Sequence, residues 1–411
     1  MPDVGFVNLF VVALVAFGVP LVLGLAPWLR LPGPVLEIVA GVVLGPGVLG
    51  WVHADLPVQV LAVVGLAFLL FLAGLEIDLH ALRGRPFGLA LGGFGITLVL
   101  GVVAGTAFAA AGWVDSALLL AVTLSATSLG LVVPVLKDAD QAGSATGQAV
   151  VVAASVADVG AVLLLSLFFS THAGTGTGTR IVLLAGFALL VAALAWALLH
   201  AGRSRRLGDA LVRQQDTTGE IRVRACVALL LGLVAVASRF GLETILGAFV
   251  AGAVLALVDR DAMSHPRLRA KLDAVGYGFV VPVFFVASGV RLDLHGLLAD
   301  PAALVRVPVF LLALLLVRGL AALPLLSRAG VRATCAAGLL QATSLPFILT
   351  ATQIGLATSL LSPATAAALV TAGLLSVLLF PAGALALLRR RPDPAAVHAP
   401  SAVEEPEPLQ A

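Results

Sequence analysis

The sequence contains little charge for its length of 411 residues. Only 11% of its residues are charged and 60% are hydrophobic, whereas soluble domains carry roughly 25% charged residues. There is a single tyrosine, and the two cysteines, Cys226 and Cys335, show neither a metal-ligand spacing nor a CxxC pattern. The net charge of +2 leaves no basic face for nucleic acid. These deficits exclude a soluble protein and a nucleic-acid-binding protein.

Long apolar runs are what the sequence has instead. A bilayer span needs about 20 apolar residues, and we count about 13 such runs, which predicts an all-α membrane protein. We expect one transmembrane domain over residues 1–390, made of a first part at about 6–170, a linking helix at about 181–200 and a second part at about 223–388. The proline-rich, acidic tail over 391–411 is predicted to be disordered and cytoplasmic.

Basic residues are distributed unevenly between alternate loops. Most of them fall in loops on one side of the predicted membrane, and the loops on the other side carry only Arg180, Arg239, Arg291 and Arg306. Because cytoplasmic loops are enriched in Lys and Arg, this distribution predicts an outside N-terminus and a cytoplasmic C-terminus. We expect the protein to be a multi-pass component of the cell inner (plasma) membrane.

Three pairs of similar segments suggest an internal repeat. The pairs are LEIVAG from Leu36 with LETILG from Leu242, IDLHAL ending at Leu82 with LDLHGL ending at Leu297, and ATSL at 126–129 with ATSL at 342–345. They occur in the same order at a nearly constant separation, which corresponds to an odd number of spans. The two parts would therefore enter the membrane from opposite sides. This predicts two inverted-topology repeats, an arrangement common in secondary transporters.

Both ATSL segments are predicted to interrupt their helices. Gly130 and Pro134 follow the first segment, and Pro346 lies directly after the second, so backbone groups are freed at both places. We expect two crossed discontinuous helices with hydroxyl oxygens of the hard type that alkali cations prefer. Those hydroxyls belong to Thr127, Ser128, Thr343 and Ser344. The alternative interpretation is a pair of proline-kinked packing helices.

Asp158 is the strongest candidate for a functional residue. It lies in the middle of an apolar run, and inserting an aspartate there costs roughly 2.5 to 3.5 kcal/mol. A carboxylate in that position can exchange a proton for a metal cation, so we predict that it binds Na+ or K+. Ser155 precedes it by about one helical turn and shares its face. The alternative is a buried carboxylate that only hydrogen-bonds a neighbouring helix.

Arg318 is the only basic residue well inside a predicted span. Its guanidinium needs a carboxylate or a ring of carbonyl oxygens, and the sequence leaves open whether Asp158 or Glu243 is its partner. Snorkelling towards an interface is the alternative. Glu37 and Glu243 occupy equivalent repeat positions and are interpreted either as helix N-terminal or interface acids or as ligands. Three further acids end apolar runs and are interpreted as boundary residues: Glu76, Asp78 and Asp293.

The sequence resembles the monovalent cation:proton antiporter superfamily, particularly its bacterial branch of sodium/proton antiporters and glutathione-gated potassium efflux proteins. Similarity extends from about residue 8 to about residue 388 and includes the Arg318 span. The other similar segments are LPGPVLEIVAGVVLGPGVLG from Leu31, LAFLLFLAGLEIDL from Leu66, LSATSLGLVVPVLKD from Leu124, VVAASVADVGAVLLL from Val151, LGAFVAGAVL from Leu246 and VPVFFVASGVRLDL from Val281.

This resemblance implies roles for three residues. Asp158 corresponds to the carboxylate that carries ion and proton, Thr127 to the threonine of the broken helix, and Arg318 to the basic residue of the eleventh span. The sequence departs from the family at Ala157, where an Asp, Asn or Gln is expected. Our hypothesis is therefore electroneutral one-for-one exchange. Family members are typically homodimers, and the same is implied here.

The resulting prediction is a secondary active transporter that exchanges Na+ or K+ for protons by alternating access. No cofactor is expected, and a membrane enzyme is disfavoured because the sequence contains no nucleophile and base pair, metal cluster or phosphate loop. Two alternatives stay open. One is a gated potassium efflux channel, and the other is an organic-anion symporter on a similar scaffold, with Arg318 holding the substrate carboxylate.

Overall fold

A computed structural model describes residues 6–26, 28, 31–77, 85–138, 140–169, 177–201, 217, 219–258 and 266–388. All regular secondary structure within these ranges is helical, which confirms the predicted all-α class. Asp78 and the predicted tail over 391–411 lie outside the described residues.

The helices are numbered here in chain order. They are α1 (Val7–Leu25), α2 (Gly33–Leu44), α3 (Leu56–Leu75), α4 (Arg85–Ala110), α5 (Ala117–Ser125), α6 (Leu129–Asp138), α7 (Ala145–Phe169), α8 (Thr177–Ala201), α9 (Ile221–Arg239), α10 (Thr244–Val258), α11 (Pro266–Val275), α12 (Val281–Val290), α13 (Leu294–Ala299), α14 (Pro301–Gly319), α15 (Leu326–Gln341), α16 (Pro346–Ala357) and α17 (Pro363–Leu388). A π-helical turn, Gly276–Val280, joins α11 to α12, and a 3-10 segment, Leu320–Leu325, joins α14 to α15.

The protein is a multi-pass membrane protein. In the described ranges, nine helical segments are long and apolar enough to cross a bilayer. The α15 and α16 pair, bent by 41° at its break, makes a tenth candidate, and three shorter apolar helices lie at Gly33–Leu44, Ala117–Val133 and Thr244–Val258. The count of about 13 spans and the inverted repeat stay predictions.

The helices form two bundles. The first bundle contains α1–α3 and α9–α12, and the second contains α4–α7 and α14–α17. Helix α8, which overlaps the predicted linking helix, contacts α7 of the second bundle and α10 of the first. The bundles also touch each other directly, where α10 meets α7 and where α2 meets α17. Each bundle is therefore built from helices of both the first and the second half of the chain.

Helices α1 and α8 expose apolar side chains to the surroundings. Phe10 and Phe17 on α1 are 66% and 65% exposed, and Val182 and Leu189 on α8 are 70% and 73% exposed. Apolar surfaces of this extent are unusual in soluble proteins and are what a lipid bilayer covers. These faces are therefore expected to contact acyl chains.

Helices α3 and α10 cross at very close range. A Cβ atom added to Gly252 would overlap the carbonyl oxygen of Phe71, and one added to Gly74 would overlap the carbonyl oxygen of Phe249. Membrane helices use small residues in this way because packing and backbone approach, rather than water exclusion, drive their association. The crossing is central to the first bundle and depends on both glycines.

We expect Gly252→Ala to destabilise the protein, because the added methyl group must push α3 away from α10. Overpacking of this kind costs about 1 to 3 kcal/mol. The matched control is Gly232→Ala in α9, where an added Cβ has open space and where alanine favours the helix. Thermal unfolding in detergent should show a lower melting temperature for Gly252→Ala only. Equal melting temperatures for the two variants would show that the crossing tolerates a methyl group.

Candidate functional site

The two interrupted helices meet at their breaks. The backbone N–H of Ser128, between α5 and α6, donates to the carbonyl oxygen of Thr343 at 3.0 Å. The hydroxyl of Thr127 donates to the carbonyl oxygen of Gln341 at 2.8 Å. Backbone groups that a continuous helix would pair internally are thus satisfied between the two segments, as a low-dielectric environment requires.

Local sequence explains one break better than the other. Pro346 has no N–H to donate and disfavours helical geometry in the residue before it, and Leu345 has φ −139° and ψ −56°. The first break comes at Ala126, where the backbone is extended with φ −78° and ψ 154°. Gly130 lies after this turn, already inside α6. Tertiary contacts, rather than a proline, hold the first break open.

Asp158 projects from α7 towards the first break. Its Oδ1 atom accepts a hydrogen bond from the N–H of Thr127 at 3.2 Å, and Oδ2 accepts one from the N–H of Leu129 at 3.4 Å. Leu129 is the first residue of α6, so the carboxylate faces the positive end of that helix dipole. By its exposed surface, the residue as a whole is partly buried.

Arg318 is almost completely buried, with 1% of its surface exposed. Its Nε atom donates to the carbonyl oxygen of Gln341 at 3.3 Å, and Nη1 donates to the hydroxyl of Thr97 at 3.2 Å. Nη2 donates to the hydroxyl of Thr127. A ring of neutral oxygens therefore holds the guanidinium, which agrees with the oxygen alternative and excludes snorkelling to an interface.

The two candidate carboxylate partners of Arg318 are not equivalent. Asp158 is close enough to act on the guanidinium electrostatically, although neither it nor Glu243 forms an ion pair with Arg318 in the described structure. Glu243 precedes α10, and its backbone N–H donates to the hydroxyl of Ser166 in α7 at 3.3 Å. One of its carboxylate oxygens is buried without a hydrogen-bond partner among the described residues.

Opposite charges thus face opposite helix ends at the breaks. Asp158 lies at the N-terminus of α6, and Arg318 lies at the C-terminus of α15 through the carbonyl oxygen of Gln341. Each charge opposes the partial charge of the helix end beside it. Thr127 contacts both side chains, donating its N–H to the carboxylate and accepting at its hydroxyl from the guanidinium.

The remaining predicted hydroxyls lie near both breaks. The hydroxyl of Ser155 donates to the carbonyl oxygen of Val151 at 3.0 Å, so its oxygen keeps lone pairs for another ligand. Ser128 is buried. The hydroxyl of Thr343 donates to the carbonyl oxygen of Leu339 at 3.2 Å.

At the second break, Ser376 takes the position that a carboxylate takes at the first. Its hydroxyl accepts from the N–H of Ser344 at 3.3 Å and lies 3.1 Å from the carbonyl oxygen of Ser344. The Ser344 hydroxyl itself is buried with no hydrogen-bond partner among the described residues. The two breaks therefore differ in charge, because a neutral hydroxyl replaces the aspartate.

Sequence reasoning missed Thr97, Gln341 and Ser376. Thr97 and Ser376 are hydroxyl residues in otherwise apolar helices and are fully buried, a pattern common in membrane helices. Gln341 contributes its backbone carbonyl oxygen, and the identity of a side chain does not predict a backbone contact of this kind. Their roles become visible only once the helices are packed.

The other acids lie at helix ends or within an interface. Asp293 caps α13 by accepting the N–H of Gly296 at 2.8 Å, which agrees with its interpretation as a boundary residue. Glu37 is buried in α2. Glu76 follows the last residue of α3, and its carboxylate is largely buried.

A cavity of about 290 Å³ lies beside Arg318, between α4, α7 and the 3-10 segment. Among the described residues that line it, Arg318 is the only basic one, and most of the lining is apolar, including Leu89, Phe94 and Ala153. This described lining gives no support to the organic-anion symporter alternative.

The architecture defines a class of protein. A multi-pass helical bundle in which two interrupted helices meet at their breaks is typical of secondary transporters. The chain belongs to the sodium/hydrogen exchanger family, whose transmembrane sequence profile matches residues 13–389. The resemblance to monovalent cation:proton antiporters is thereby confirmed, and the family is one of transporters rather than enzymes.

Individual relatives agree with this assignment. Over 409 residues the chain is 31% identical to YjbQ of Bacillus subtilis, covering 96% of this chain and 65% of that protein. It is 26% identical over 297 residues to the Na+/H+–K+ antiporter GerN of Bacillus cereus, covering 70% of this chain and 72% of GerN. The sodium proton antiporter MjNhaP1 of Methanocaldococcus jannaschii shares the fold, with a TM-score of 0.60, 16% identity and coverage of 93% and 97%.

Proposed function

We propose that this protein exchanges one monovalent cation, Na+ or K+, for one proton by alternating access. The position of Asp158 supports this function most strongly, because its carboxylate faces the N-terminus of α6 where the two breaks meet. Family membership supports cation and proton exchange. The name of GerN includes both Na+ and K+, which supports keeping both as candidate substrates.

The proposed chemistry is competition for one carboxylate. Two backbone N–H groups stabilise the charged form of Asp158, and an alkali cation can then neutralise it with help from hard oxygen atoms. Ser128 and Ser155 are the proposed additional ligands. A proton on the carboxylate removes the charge that attracts the cation, so the site carries one or the other. Exchange follows when the site opens to each side of the membrane in turn.

Thr127 and Arg318 are proposed to shape the site rather than to bind the cation through their side chains. The Thr127 hydroxyl already donates to Gln341 and accepts from Arg318, so its backbone N–H is its contribution to Asp158. Arg318 balances the negative end of α15. We propose that Glu243 belongs to the core but lies away from the cation site, because it contacts α7 near Ser166. Thr343 and Ser344 are proposed as ligands or packing groups of the second break.

Ala157 supports electroneutral exchange. The residue beside Asp158 carries no titratable group and is fully buried. With one carboxylate in the site, one proton replaces one cation, so each cycle moves no net charge. This stoichiometry depends on Asp158 being the single titrating group at the junction.

Transport in proteoliposomes with an imposed pH gradient tests the function. We expect Na+ or K+ to collapse the gradient without creating a membrane potential, because the two charges are equal. Clamping the potential should leave the rate unchanged. The measurement compares Li+, Na+ and K+ with a pH-sensitive dye inside the vesicles and a potential-sensitive dye outside.

Two outcomes would point to the alternatives. Cation current without proton movement would indicate a gated channel. Flux that requires an organic anion and is insensitive to Asp158→Asn would indicate a symporter. Exchange that speeds up when the potential is clamped would contradict the electroneutral stoichiometry but not exchange itself.

The cellular setting follows from the same proposal. We propose a bacterial inner-membrane location with the N-terminus outside and the C-terminus cytoplasmic, on the distribution of basic residues. A homodimer, with residues 1–390 as its transmembrane part, is proposed from the family resemblance. Pairwise crosslinking in native membranes and protease accessibility of the tail over 391–411 would test these points.

A further inference from the structure

Glu76 presents a partly unsatisfied carboxylate at the end of α3. One oxygen, Oε1, lies 3.7 Å from Nη2 of Arg269 in α11. The other oxygen, Oε2, is buried and has no hydrogen-bond partner among the described residues. Leaving a buried carboxylate oxygen unpaired is costly, so this arrangement calls for a cation or a hydrogen-bond donor beyond the described contacts.

The unpaired oxygen of Glu76 faces α6, the helix whose first N–H binds Asp158. A Cβ atom added to Gly130 would lie 3.6 Å from Oε2 of Glu76 and 3.6 Å from the hydroxyl of Tyr277. Gly130 directly follows Leu129, whose N–H binds Asp158. Glu76 and Tyr277 therefore border, from the first bundle, the part of α6 that leads to the carboxylate.

The surroundings of this place are polar and irregular. Tyr277 is 45% exposed and lies in the π-helical turn, a feature frequent at functional sites. Besides Arg269, the charges that act on Glu76 are Asp273 from α11 and Lys137 from α6. Glu76 also acts electrostatically on Asp158. The region around Glu76 and Tyr277 is therefore both close to the junction of the two breaks and coupled to it electrostatically.

We propose that Glu76 is a second binding site for the monovalent cation, on the approach to Asp158 where the end of α3 lies beside the first turn of α6. The guanidinium of Arg269 competes with the cation for Glu76, because it pairs with one carboxylate oxygen when no cation is bound. An ion pair of this length with a half-exposed arginine is weak, so a cation can displace it. The phenol of Tyr277 is a neutral oxygen ligand beside it. The inference rests on the proposed exchange at Asp158.

Cation dependence of exchange in proteoliposomes tests the proposal. For Glu76→Gln we expect the apparent KM for Na+ or K+ to rise about fivefold to tenfold with an unchanged maximal rate, because the second site loses its charge. For Arg269→Gln we expect the apparent KM to fall about two- to threefold, because a weak competitor is removed. In the double variant, the effect of Arg269→Gln should disappear. Glu76→Asp should restore most of the affinity.

The matched control removes a neighbouring charge from the same helix. Lys271 forms its ion pair with Glu220 at 2.8 Å, so Lys271→Gln should leave the apparent KM unchanged. An unchanged KM in Glu76→Gln would overturn the proposal. So would an equal effect of Arg269→Gln with and without the Glu76 carboxylate, because that result would mean a general change in surface potential.

The two proposals fail in different ways. If Asp158→Asn retains exchange, the proposed function is wrong whatever the variants of Glu76 do. If Asp158→Asn abolishes exchange while Glu76→Gln behaves like the wild type, only the second site is wrong. A Glu76→Gln protein that loses maximal rate as well as affinity would also contradict the proposal, because it would place Glu76 in the exchange step itself.

Discussion

Replacing Asp158 with asparagine is expected to reduce cation-dependent proton flux to the level of protein-free liposomes. Asparagine has nearly the same shape but cannot release a proton or neutralise a cation. Its amide also turns one of two hydrogen-bond acceptors into a donor, opposite an N–H of Thr127 or Leu129. Both substrates lose their common ligand in one step. The measurement is dye-reported proton flux after addition of Na+ or K+.

A matched substitution separates chemistry from folding. Asp293→Asn makes the same change at the cap of α13, where asparagine caps about as well as aspartate, so it should transport normally. Both variants should elute and melt as folded proteins. Unchanged flux in Asp158→Asn would remove the central residue of the proposed mechanism.

Replacing Arg318 with leucine is expected to cause the largest loss of stability. The side chain donates to three groups on α4, the first break and α15. Leucine leaves the hydroxyl oxygens of Thr97 and Thr127 without this donor, whereas the carbonyl oxygen of Gln341 keeps the Thr127 hydroxyl. Leaving a buried acceptor unsatisfied costs about 1 to 3 kcal/mol, and two acceptors are affected. Arg318→Lys keeps the charge but loses the planar fork that reaches several acceptors, so an intermediate loss is expected.

Thermal unfolding in detergent measures this effect, and exposed Arg239 provides the control. Arg239 ends α9 at the protein surface, so Arg239→Leu should melt within a degree or two of the wild type, because surface substitutions usually change stability by less than about 0.5 kcal/mol. An Arg318→Leu protein that melts at or above the wild type would show that the oxygen ring does not depend on the guanidinium.

Some parts of the site were predictable because their signals are local. Asp158 is a single carboxylate in an apolar run, and Pro346 breaks a helix through its own covalent structure. The partner of Arg318 was not predictable. Its acceptors come from α4, the first break and α15, and which faces of these helices meet depends on their crossing geometry. Thr127 and Gln341, 214 positions apart, are joined only by that crossing.

Glu76 shows the same limit in another way. From sequence it is a boundary residue, because it directly follows an apolar run. Its buried oxygen acquires significance only because α6 and the π-helical turn pack beside it. A residue at the end of one helix can belong to a site on another helix. The hydrophobic periodicity of either helix does not predict that the two lie side by side.

The sequence by itself determined that this chain enters the membrane, that it is helical and which family it belongs to, because hydrophobicity, charge scarcity and short motifs act locally along the chain. Only the tertiary structure decided what surrounds each charged group. In the membrane interior no water is available to satisfy buried polar atoms, so Arg318 and Asp158 take whatever helix ends and hydroxyls the packing of distant segments brings to them.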